Sequence, residues 1–473
     1  MLTMTYTSAR FLILFLPVLL LFYWALKNHH MVQNAVLLAG SMVFYMSFGR
    51  WYALVLIGCI LLTYCGGKVI SKNPKWIWFF VPANLFILLF FKYGIRLFPE
   101  TGLVMPIGIS FYILQSSSYL FDIHNGKTVP ETSLIDYALF VSFFPCIVSG
   151  PIQKSRLFLP EIKNEKSLSY QTAVSAVFLF LYGVFLKMVI ADRLALFTGP
   201  VFAGYTDYEG GIIFFSAVLY SFEIYCDFYG YTCMVSAVAL LFGYRLADNF
   251  RQPYFAISIA DFWKRWHMSL TSWLTEYVYI PLGGNRKGTA RKYLNILAVF
   301  VVSALWHGTG NHFLVWGLLH ALYRITGEVT LPYRETLCGR LNIDRNKTGF
   351  RFLQCIFTFL IVTAAWVYFR ADSVSAATGM IRKVFTNFSA HVFFDGTLFS
   401  YALDHGHFLV LLLSLQAVLI VSWLREKGVR VSVLTDEILV VRWGILILLF
   451  FVILIAGVYG PAYDAGNFIY AAF

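Results

Sequence analysis

Apolar runs separated by short charged segments recur from one end of the chain to the other. They lie near residues 11–26, 33–49, 51–67, 76–91, 134–150, 170–190, 211–243, 293–306, 313–327, 352–369, 408–424 and 443–459. Most of them approach the length of about 20 residues that a helix needs to cross the hydrocarbon core of a bilayer. The pattern therefore predicts an all-α polytopic membrane protein with about 11 transmembrane helices and additional re-entrant or interfacial helices.

Proline and glycine interrupt two of the hydrophobic stretches. Pro106 and Gly108 break the stretch at residues 106–112, and the stretch at 134–150 ends in Phe143-Phe144-Pro145 and Ser149-Gly150-Pro151. A broken helix at membrane depth is tolerated only where protein or a water-filled cavity surrounds it. Both stretches are therefore predicted to be re-entrant or kinked.

The polar segment 251–292 carries an amphipathic pattern. Its large apolar side chains recur at i, i+4, i+8 and i+11, at Phe262, Trp266, Leu270 and Trp273. This spacing places them on one face of a helix. The segment is predicted to form a helix that lies along the membrane interface or lines a cavity.

A histidine stands between two of the apolar runs, 293–306 and 313–327. If both runs start and end on one side of the membrane, they form a hairpin with His307 at its tip, and Gly308 and Gly310 allow a tight reversal of the chain. A buried neutral imidazole can take up a proton near neutral pH and return it. His307 is therefore a candidate general base, and the alternative is a histidine that only forms a hydrogen bond between packed helices.

A second histidine, His267, follows the cationic pair Lys264 and Arg265. Two histidines beside a basic entrance suit acyl transfer from an anionic donor to a hydroxyl group. The same cations also suit contacts with lipid headgroups, and Asp261 can act as a helix N-cap that pairs with Arg265. The residues alone leave these alternatives open.

Composition supports a lipid environment. Of the 473 residues, 59% are hydrophobic and 13% are charged, and the mean hydropathy is +0.71, whereas soluble domains carry about 25% charged residues. The net charge of +12 is explained by basic cytoplasmic loops and their attraction to anionic membrane lipids, or by cations that contact an anionic substrate. No nucleic-acid partner is predicted. The seven cysteines contain no C-x-x-C pair, so neither a disulfide framework nor a metal site is predicted.

The distribution of basic residues predicts an orientation. Three segments rich in lysine and arginine are expected to face the cytoplasm, namely 251–292, 324–351 and 425–442. The segment 370–407 holds few basic residues and is expected on the opposite face, which also places the tail at 460–473 there. Because no internal repeat or soluble domain is evident, residues 1–473 are predicted to form a single integral-membrane domain.

Several motifs carry a resemblance to a known family. They are Pro106–Tyr112 (PIGISFY), Phe143–Pro151 (FFPCIVSGP), Lys187–Arg193 (KMVIADR), Asn249–Tyr254 (NFRQPY), Asp261–Gly288 (DFWKRWHMSLTSWLTEYVYIPLGGNRKG) and Leu305–Gly308 (LWHG). In this order they resemble the membrane-bound O-acyltransferase family, and most closely its bacterial alginate O-acetyltransferase branch. The resemblance covers nearly the whole chain.

The resemblance implies a fold and a site. It implies helices around a central tunnel, with acyl-CoA entering from the cytoplasm and the acceptor approaching from outside. His307 would be the family's invariant histidine, and His267 would be the histidine of its RWH motif. The residues expected to bind acyl-CoA are Lys264, Arg265, Trp266 and Arg286.

The resemblance also implies a function. It predicts transfer of acetyl from cytoplasmic acetyl-CoA, with no permanently bound cofactor, across the bacterial inner membrane for O-acetylation of an extracytoplasmic polysaccharide. A periplasmic partner of the SGNH-hydrolase-like type would complete the transfer. The alternatives are an acyltransferase acting on a lipid or protein hydroxyl, and an acyl or glycan transporter without catalysis.

The end of the chain offers one further candidate. Relatives in this branch often end in a tyrosine between aromatic residues that is proposed to pass the acyl group onward, and Tyr470 stands in the corresponding place. A phenolic oxygen can act as such a nucleophilic relay. The alternative is an aromatic residue that anchors the tail at the membrane interface.

Overall fold

The computed structural model describes residues 3–97, 100, 102–401, 403–429, 439–459, 468 and 469. Within these residues all regular secondary structure is helical.

Helices follow one another along the whole described chain. The first half contains α1 (Arg10–Ala25), α2 (His30–Met46), α3 (Arg50–Lys72), α4 (Pro74–Gly94), α5 (Ile109–His124), α6 (Leu134–Ser142), α7 (Phe144–Ile147), α8 (Ser155–Lys163), α9 (Tyr170–Ala203) and α10 (Gly210–Leu241). The second half contains α11 (Ile259–Trp263), α12 (Met268–Leu274), α13 (Thr289–His307), α14 (Asn311–Val329), α15 (Leu331–Arg340), α16 (Thr348–Arg370), α17 (Val374–Thr386), α18 (His405–Glu426) and α19 (Leu439–Ala456).

Seven helices of the described part of the chain are long and apolar enough to cross a membrane. They are α3, α4, α9, α10, α16, α18 and α19. The prediction of an all-α polytopic membrane protein is confirmed. The number of about 11 spans stays a prediction.

The chain divides into two compact units. One comprises residues 1–184, 230–248 and 459–473, and the other comprises 185–229 and 249–458. Both candidate histidines belong to the second unit. The prediction of one integral-membrane domain over the whole chain stays a prediction.

Both predicted interruptions are found in the first unit. Gly108 has a φ of +73°, and a Cβ at this position would lie 1.9 Å from the carbonyl oxygen of Ile147, so only glycine fits. Helix α5 begins directly after this residue. The stretch at 134–150 is divided between α6 and α7 by the non-helical backbone of Phe143.

Buried polar side chains connect helices of the first unit. Asn84 on α4 is fully buried, and its Nδ2 donates to the carbonyl oxygen of Ile113 at 3.2 Å. It also lies 3.0 Å from the hydroxyls of Ser116 and Ser117 on α5. Such hydrogen bonds hold helices together where the surrounding lipid provides no hydrophobic drive for their association.

Candidate active site

Helices α13 and α14 form the predicted hairpin. Helix α13 ends at His307, residues 308–310 reverse the chain, and α14 begins at Asn311. The two helices approach closely at Gly317, where a Cβ would lie 2.7 Å from the carbonyl oxygen of Phe300. The prediction that His307 lies at the tip of a hairpin is confirmed.

The reversal uses glycine for space. The backbone of Gly308 is extended, with a φ of −168°. A Cβ at this position would lie 2.0 Å from the ring of Phe313, and a Cβ at Gly310 would lie 2.2 Å from Nε2 of His312. The tight turn therefore depends on the close approach of these two rings, and not on a left-handed backbone.

The imidazole of His307 is held by its own helix. The side chain is buried, and its Nδ1 lies 2.7 Å from the carbonyl oxygen of Ser303. Because a carbonyl oxygen can only accept a hydrogen bond, Nδ1 carries the proton and Nε2 carries the lone pair. In this neutral tautomer Nε2 is the nitrogen that can accept a proton.

Aromatic rings surround this imidazole. The ring centroids of Trp306, Trp316 and Phe369 lie 4.8, 4.9 and 5.4 Å from that of His307. These rings come from α13, α14 and α16, so three helices shape the site. Water is largely excluded from such a setting, which strengthens electrostatic interactions within it.

The helix predicted over residues 262–273 is interrupted. Helix α11 ends at Trp263, and α12 begins at Met268, after His267 with a φ of +44°. A positive φ is uncommon for a residue other than glycine, and such conformations cluster at functional sites. The four apolar side chains of the predicted face are all buried nevertheless, at Phe262, Trp266, Leu270 and Trp273.

Asn249 fixes the turn that carries His267. Its carbonyl oxygen accepts from the backbone N–H of Met268 at 2.9 Å. Its Oδ1 accepts from the N–H of Ser269 at 3.2 Å and from the hydroxyl of that residue at 2.6 Å. The same oxygen lies 3.3 Å from Nδ1 of His267. The backbone N–H of Ser269 can only donate, so the side-chain atom of Asn249 that it contacts is the amide oxygen. Because this oxygen can only accept, Nδ1 of His267 also carries the proton and Nε2 carries the lone pair.

Trp306 lies against both histidines. Its ring centroid is 6.0 Å from that of His267 and 4.8 Å from that of His307. The ring of Phe228 on α10 is also close to His267, at 4.8 Å. The structure therefore brings together the two histidines that the sequence singled out, and each of them carries its lone pair on Nε2.

The predicted acyl-CoA contacts lie in different environments. Lys264 and Arg286 are exposed. Arg265 lies 2.9 Å from Oδ1 of Asp261 and forms a bidentate pair with Glu426 at 2.7 and 3.1 Å. Burial opposes the charge of Arg265, but the two carboxylates outweigh this effect and hold its pKa above the ordinary value for arginine. The pairing of Asp261 with Arg265 is thus observed.

Three further predictions concern the single side chains of Trp266, Asp261 and Tyr470. Trp266 is buried, with its ring centroid 5.0 Å from those of Phe250 and Trp366. The prediction that Asp261 is a helix N-cap is wrong, because the N-cap of α11 is Ser258, whose side chain accepts from the N–H of Asp261. Tyr470 lies outside the described residues.

A buried ionic cluster lies in α9 and α10. The ammonium of Lys187 lies 2.8 Å from a carboxylate oxygen of Asp192 and 2.7 Å from one of Asp227. Lys187 occupies a π-helical turn, Phe185–Ala191, a distortion that is frequent at functional sites. Charges within the apolar run of the KMVIADR motif were the available signal for this cluster, although the sequence did not show which residues pair.

Roles for Asn249 and Ser303 were not apparent from the sequence. Asn249 lies in the NFRQPY motif, but its contact with His267 depends on the folded turn. Ser303 contributes mainly its backbone carbonyl oxygen, which every residue type possesses. No side-chain pattern could have indicated that contact.

Comparison with known proteins gives concordant results. A sequence model of the membrane-bound O-acyltransferase family matches residues 18–363. The chain is 33% identical over 405 residues to a probable alginate O-acetylase of Pseudomonas putida, covering 81% of this chain and 80% of that protein. It is 32% identical over 427 residues to a peptidoglycan O-acetyltransferase of Helicobacter pylori, covering 80% of this chain and 79% of that protein.

A more distant similarity extends to a teichoic acid D-alanyltransferase of Bacillus subtilis, at 26% identity over 243 residues, covering 47% of this chain and 59% of that protein. The family match spans both candidate histidines and the motifs that surround them. The chain belongs to the membrane-bound O-acyltransferase family and is a multi-pass membrane O-acyltransferase.

Proposed function

We propose that this protein transfers an acetyl group from cytoplasmic acetyl-CoA across the bacterial inner membrane for O-acetylation of an extracytoplasmic polysaccharide. The polysaccharide acceptor is supported by the names of the similar proteins, which act on alginate and peptidoglycan. The observation that carries the chemistry is the contact between Nδ1 of His307 and the carbonyl oxygen of Ser303, because it leaves Nε2 as the base.

In the proposed reaction, His307 takes up one proton and returns it. Its Nε2 takes the proton from the acceptor hydroxyl while the hydroxyl oxygen attacks the thioester carbonyl carbon. The new C–O bond forms, the C–S bond breaks, and the CoA thiolate receives the proton back from the imidazolium. His307 is the last residue of α13, so the partial negative charge at that helix end stabilises the imidazolium during the step.

His267 supports this chemistry from the neighbouring turn. Because Asn249 fixes its Nδ1–H, its Nε2 can accept a hydrogen bond or a proton. We assign it to orienting the thioester or shuttling the proton. Both imidazoles are buried, so the side chains around them must move when the substrates enter.

The cations on the same polar segment would receive the donor. The exposed Lys264 and Arg286 are available to the phosphates of acetyl-CoA. Arg265 would have to leave Glu426 to do the same, and Trp266 would contribute packing rather than a surface contact. A periplasmic SGNH-hydrolase-like partner would complete the transfer, with Tyr470 as the candidate acyl relay.

A thioester-consumption assay tests the proposal. Purified full-length protein in lipid nanodiscs is given acetyl-CoA and a soluble bacterial polysaccharide, with and without the periplasmic SGNH-hydrolase-like partner, and free CoA thiol is measured. We expect acceptor-dependent CoA release that the His307→Gln variant lacks. Absence of CoA release with polysaccharide, lipid and protein hydroxyl acceptors alike would contradict the enzyme and favour transport without chemistry.

A further inference from the structure

Three fully buried ring nitrogens lie close to His307. They are Nε1 of Trp316, Nε1 of Trp366 and Nε2 of His320, and none has a hydrogen-bond partner among the residues that the structure describes. An indole nitrogen is a donor only. Trp316 and Trp366 therefore each present a buried N–H that lacks an acceptor within the described part of the chain.

The protonation of His320 follows from its hydrogen bond to a tryptophan. Nε1 of Trp263 donates to Nδ1 of His320 at 3.3 Å. Because the indole can only donate, Nδ1 of the imidazole must be the acceptor, and the proton of the neutral ring is on Nε2. His320 is therefore a third buried donor without an acceptor among the described residues, whereas Nε2 of His307 carries a lone pair.

The three donors belong to one aromatic cluster. Trp316 and His320 are one turn apart on α14, and their ring centroids are 5.2 Å apart. Trp366 on α16 lies 6.0 Å from Trp316, with nearly parallel rings, and 6.2 Å from His320. The Trp316 ring also contacts that of His307 at 4.9 Å. Trp316 thus contacts the proposed base, and Trp366 and His320 lie next to Trp316 in the same cluster.

The three buried N–H groups indicate what kind of group can bind beside them. Buried donors without acceptors are costly and rare in native structures, so a group that binds beside them must supply acceptor oxygen. The walls are aromatic, because Phe262 and Phe300 stack on His320 with interplanar angles of 7° and 15°. Donors in an apolar wall suit a neutral carbonyl group on a small apolar substituent, which describes an acetyl thioester.

We propose that the N–H groups of Trp316, Trp366 and His320 bind the carbonyl oxygen of the transferred acyl group. This inference rests on the proposed function and names the site of the reacting carbonyl. When the acceptor oxygen attacks the carbonyl carbon, the C=O electron pair moves onto that oxygen, and the N–H groups stabilise the negative charge. The pair returns as the C–S bond breaks and CoA leaves as the thiol.

The test compares ligands with and without the carbonyl oxygen. Full-length protein in nanodiscs is titrated with acetyl-CoA and with S-ethyl-CoA, a thioether that lacks this oxygen. We expect wild-type protein to prefer acetyl-CoA, and the Trp316→Phe/Trp366→Phe variant, which retains only the N–H of His320, to show a much smaller preference. Loss of one such donor typically lowers kcat by about 10²- to 10³-fold, so CoA release should fall by at least about 10²-fold in that variant.

Controls separate the donor role from packing. Trp24→Phe removes an indole N–H that donates to the carbonyl oxygen of Leu241, and we expect an unchanged carbonyl preference. His320→Gln keeps an N–H donor and should retain more activity than His320→Leu. If the phenylalanine variants do not fold, benzothienylalanine at position 366 replaces the N–H by sulfur in a ring of the same shape.

The outcomes distinguish this inference from the proposed function. Wild-type CoA release with an undiminished carbonyl preference in the double phenylalanine variant would overturn the inference alone, and the donors would then hold only water. A wild-type carbonyl preference without any CoA release would instead contradict the proposed function, while the carbonyl site would stand.

Discussion

The turn around His267 offers the sharpest single perturbation. In the Asn249→Ala variant, three donors lose the oxygen that they share, namely the N–H and hydroxyl of Ser269 and Nδ1 of His267. Each lost hydrogen bond costs about 0.5–1.5 kcal/mol, and more where a donor stays buried without an acceptor. We therefore expect the free energy of unfolding to fall by about 2–5 kcal/mol.

The same change should slow the reaction. If the oriented imidazole of His267 contributes about 1.4–2.7 kcal/mol to the transition state, its release lowers kcat by about 10- to 100-fold. The assay is acceptor-dependent CoA release by purified protein at a temperature where the variant is still folded. Thermal unfolding in detergent gives the loss of stability separately.

Two matched variants make the result interpretable. Asn249→Asp keeps the accepting oxygen and replaces Nδ2, which has no acceptor among the described residues, so it should release CoA faster than Asn249→Ala, although its buried carboxylate lowers stability. Asn84→Ala removes another buried asparagine with three hydrogen-bond partners, and we expect it to lose stability without a specific loss of kcat. Unchanged CoA release by Asn249→Ala would refute the assigned role of His267.

Three further predictions concern stability and the hairpin. Lys187→Met leaves buried carboxylates without their cation and should cost about 3–5 kcal/mol in thermal unfolding, whereas Lys187→Met/Asp227→Leu should recover part of that loss, because only the carboxylate of Asp192 then remains. Gly308→Ala should lower the free energy of unfolding by about 1–3 kcal/mol, because its Cβ would collide with the ring of Phe313, and it should reduce CoA release. Stability and CoA release equal to those of the wild type would contradict the close packing at the tip of the hairpin. Burial opposes the charge on Glu131, but the hydrogen bonds from Lys163 and the backbone outweigh it and lower its pKa below the ordinary value of about 4.5. The resulting stability is present above about pH 4.5 and is lost as the pH falls through the lowered pKa. Glu131→Gln should therefore weaken the dependence of the unfolding temperature on pH over that acidic range. A variant with the same pH dependence as the wild type would contradict this pairing.

The sequence predicted the features that depend on local patterns. Apolar runs on both sides of His307 predicted the hairpin, because the lengths of two helices and a glycine turn are local properties. Proline and glycine likewise predicted the interruption before α5. The match to the family covers these regions and confirms the class of enzyme that the motifs indicated.

Features that depend on distant contacts were not accessible. The apolar spacing continues through His267, so periodicity alone predicted an unbroken helix, and the break follows from hydrogen bonds to Asn249 and from a positive φ. The pair between Arg265 and Glu426 joins residues 161 positions apart. The three buried donors near His307 could not be predicted either, because only the packed structure decides whether a ring N–H has a hydrogen-bond acceptor.

The most direct test of the central claim is the acetyl content of the extracytoplasmic polysaccharide in cells that carry His307→Ala. Membrane abundance is matched to wild type, and His124→Ala, which changes an exposed histidine at the end of α5, is the control. We predict loss of acetylation in His307→Ala and wild-type acetylation in the control. Undiminished acetylation in His307→Ala would contradict the assignment of this imidazole as the base.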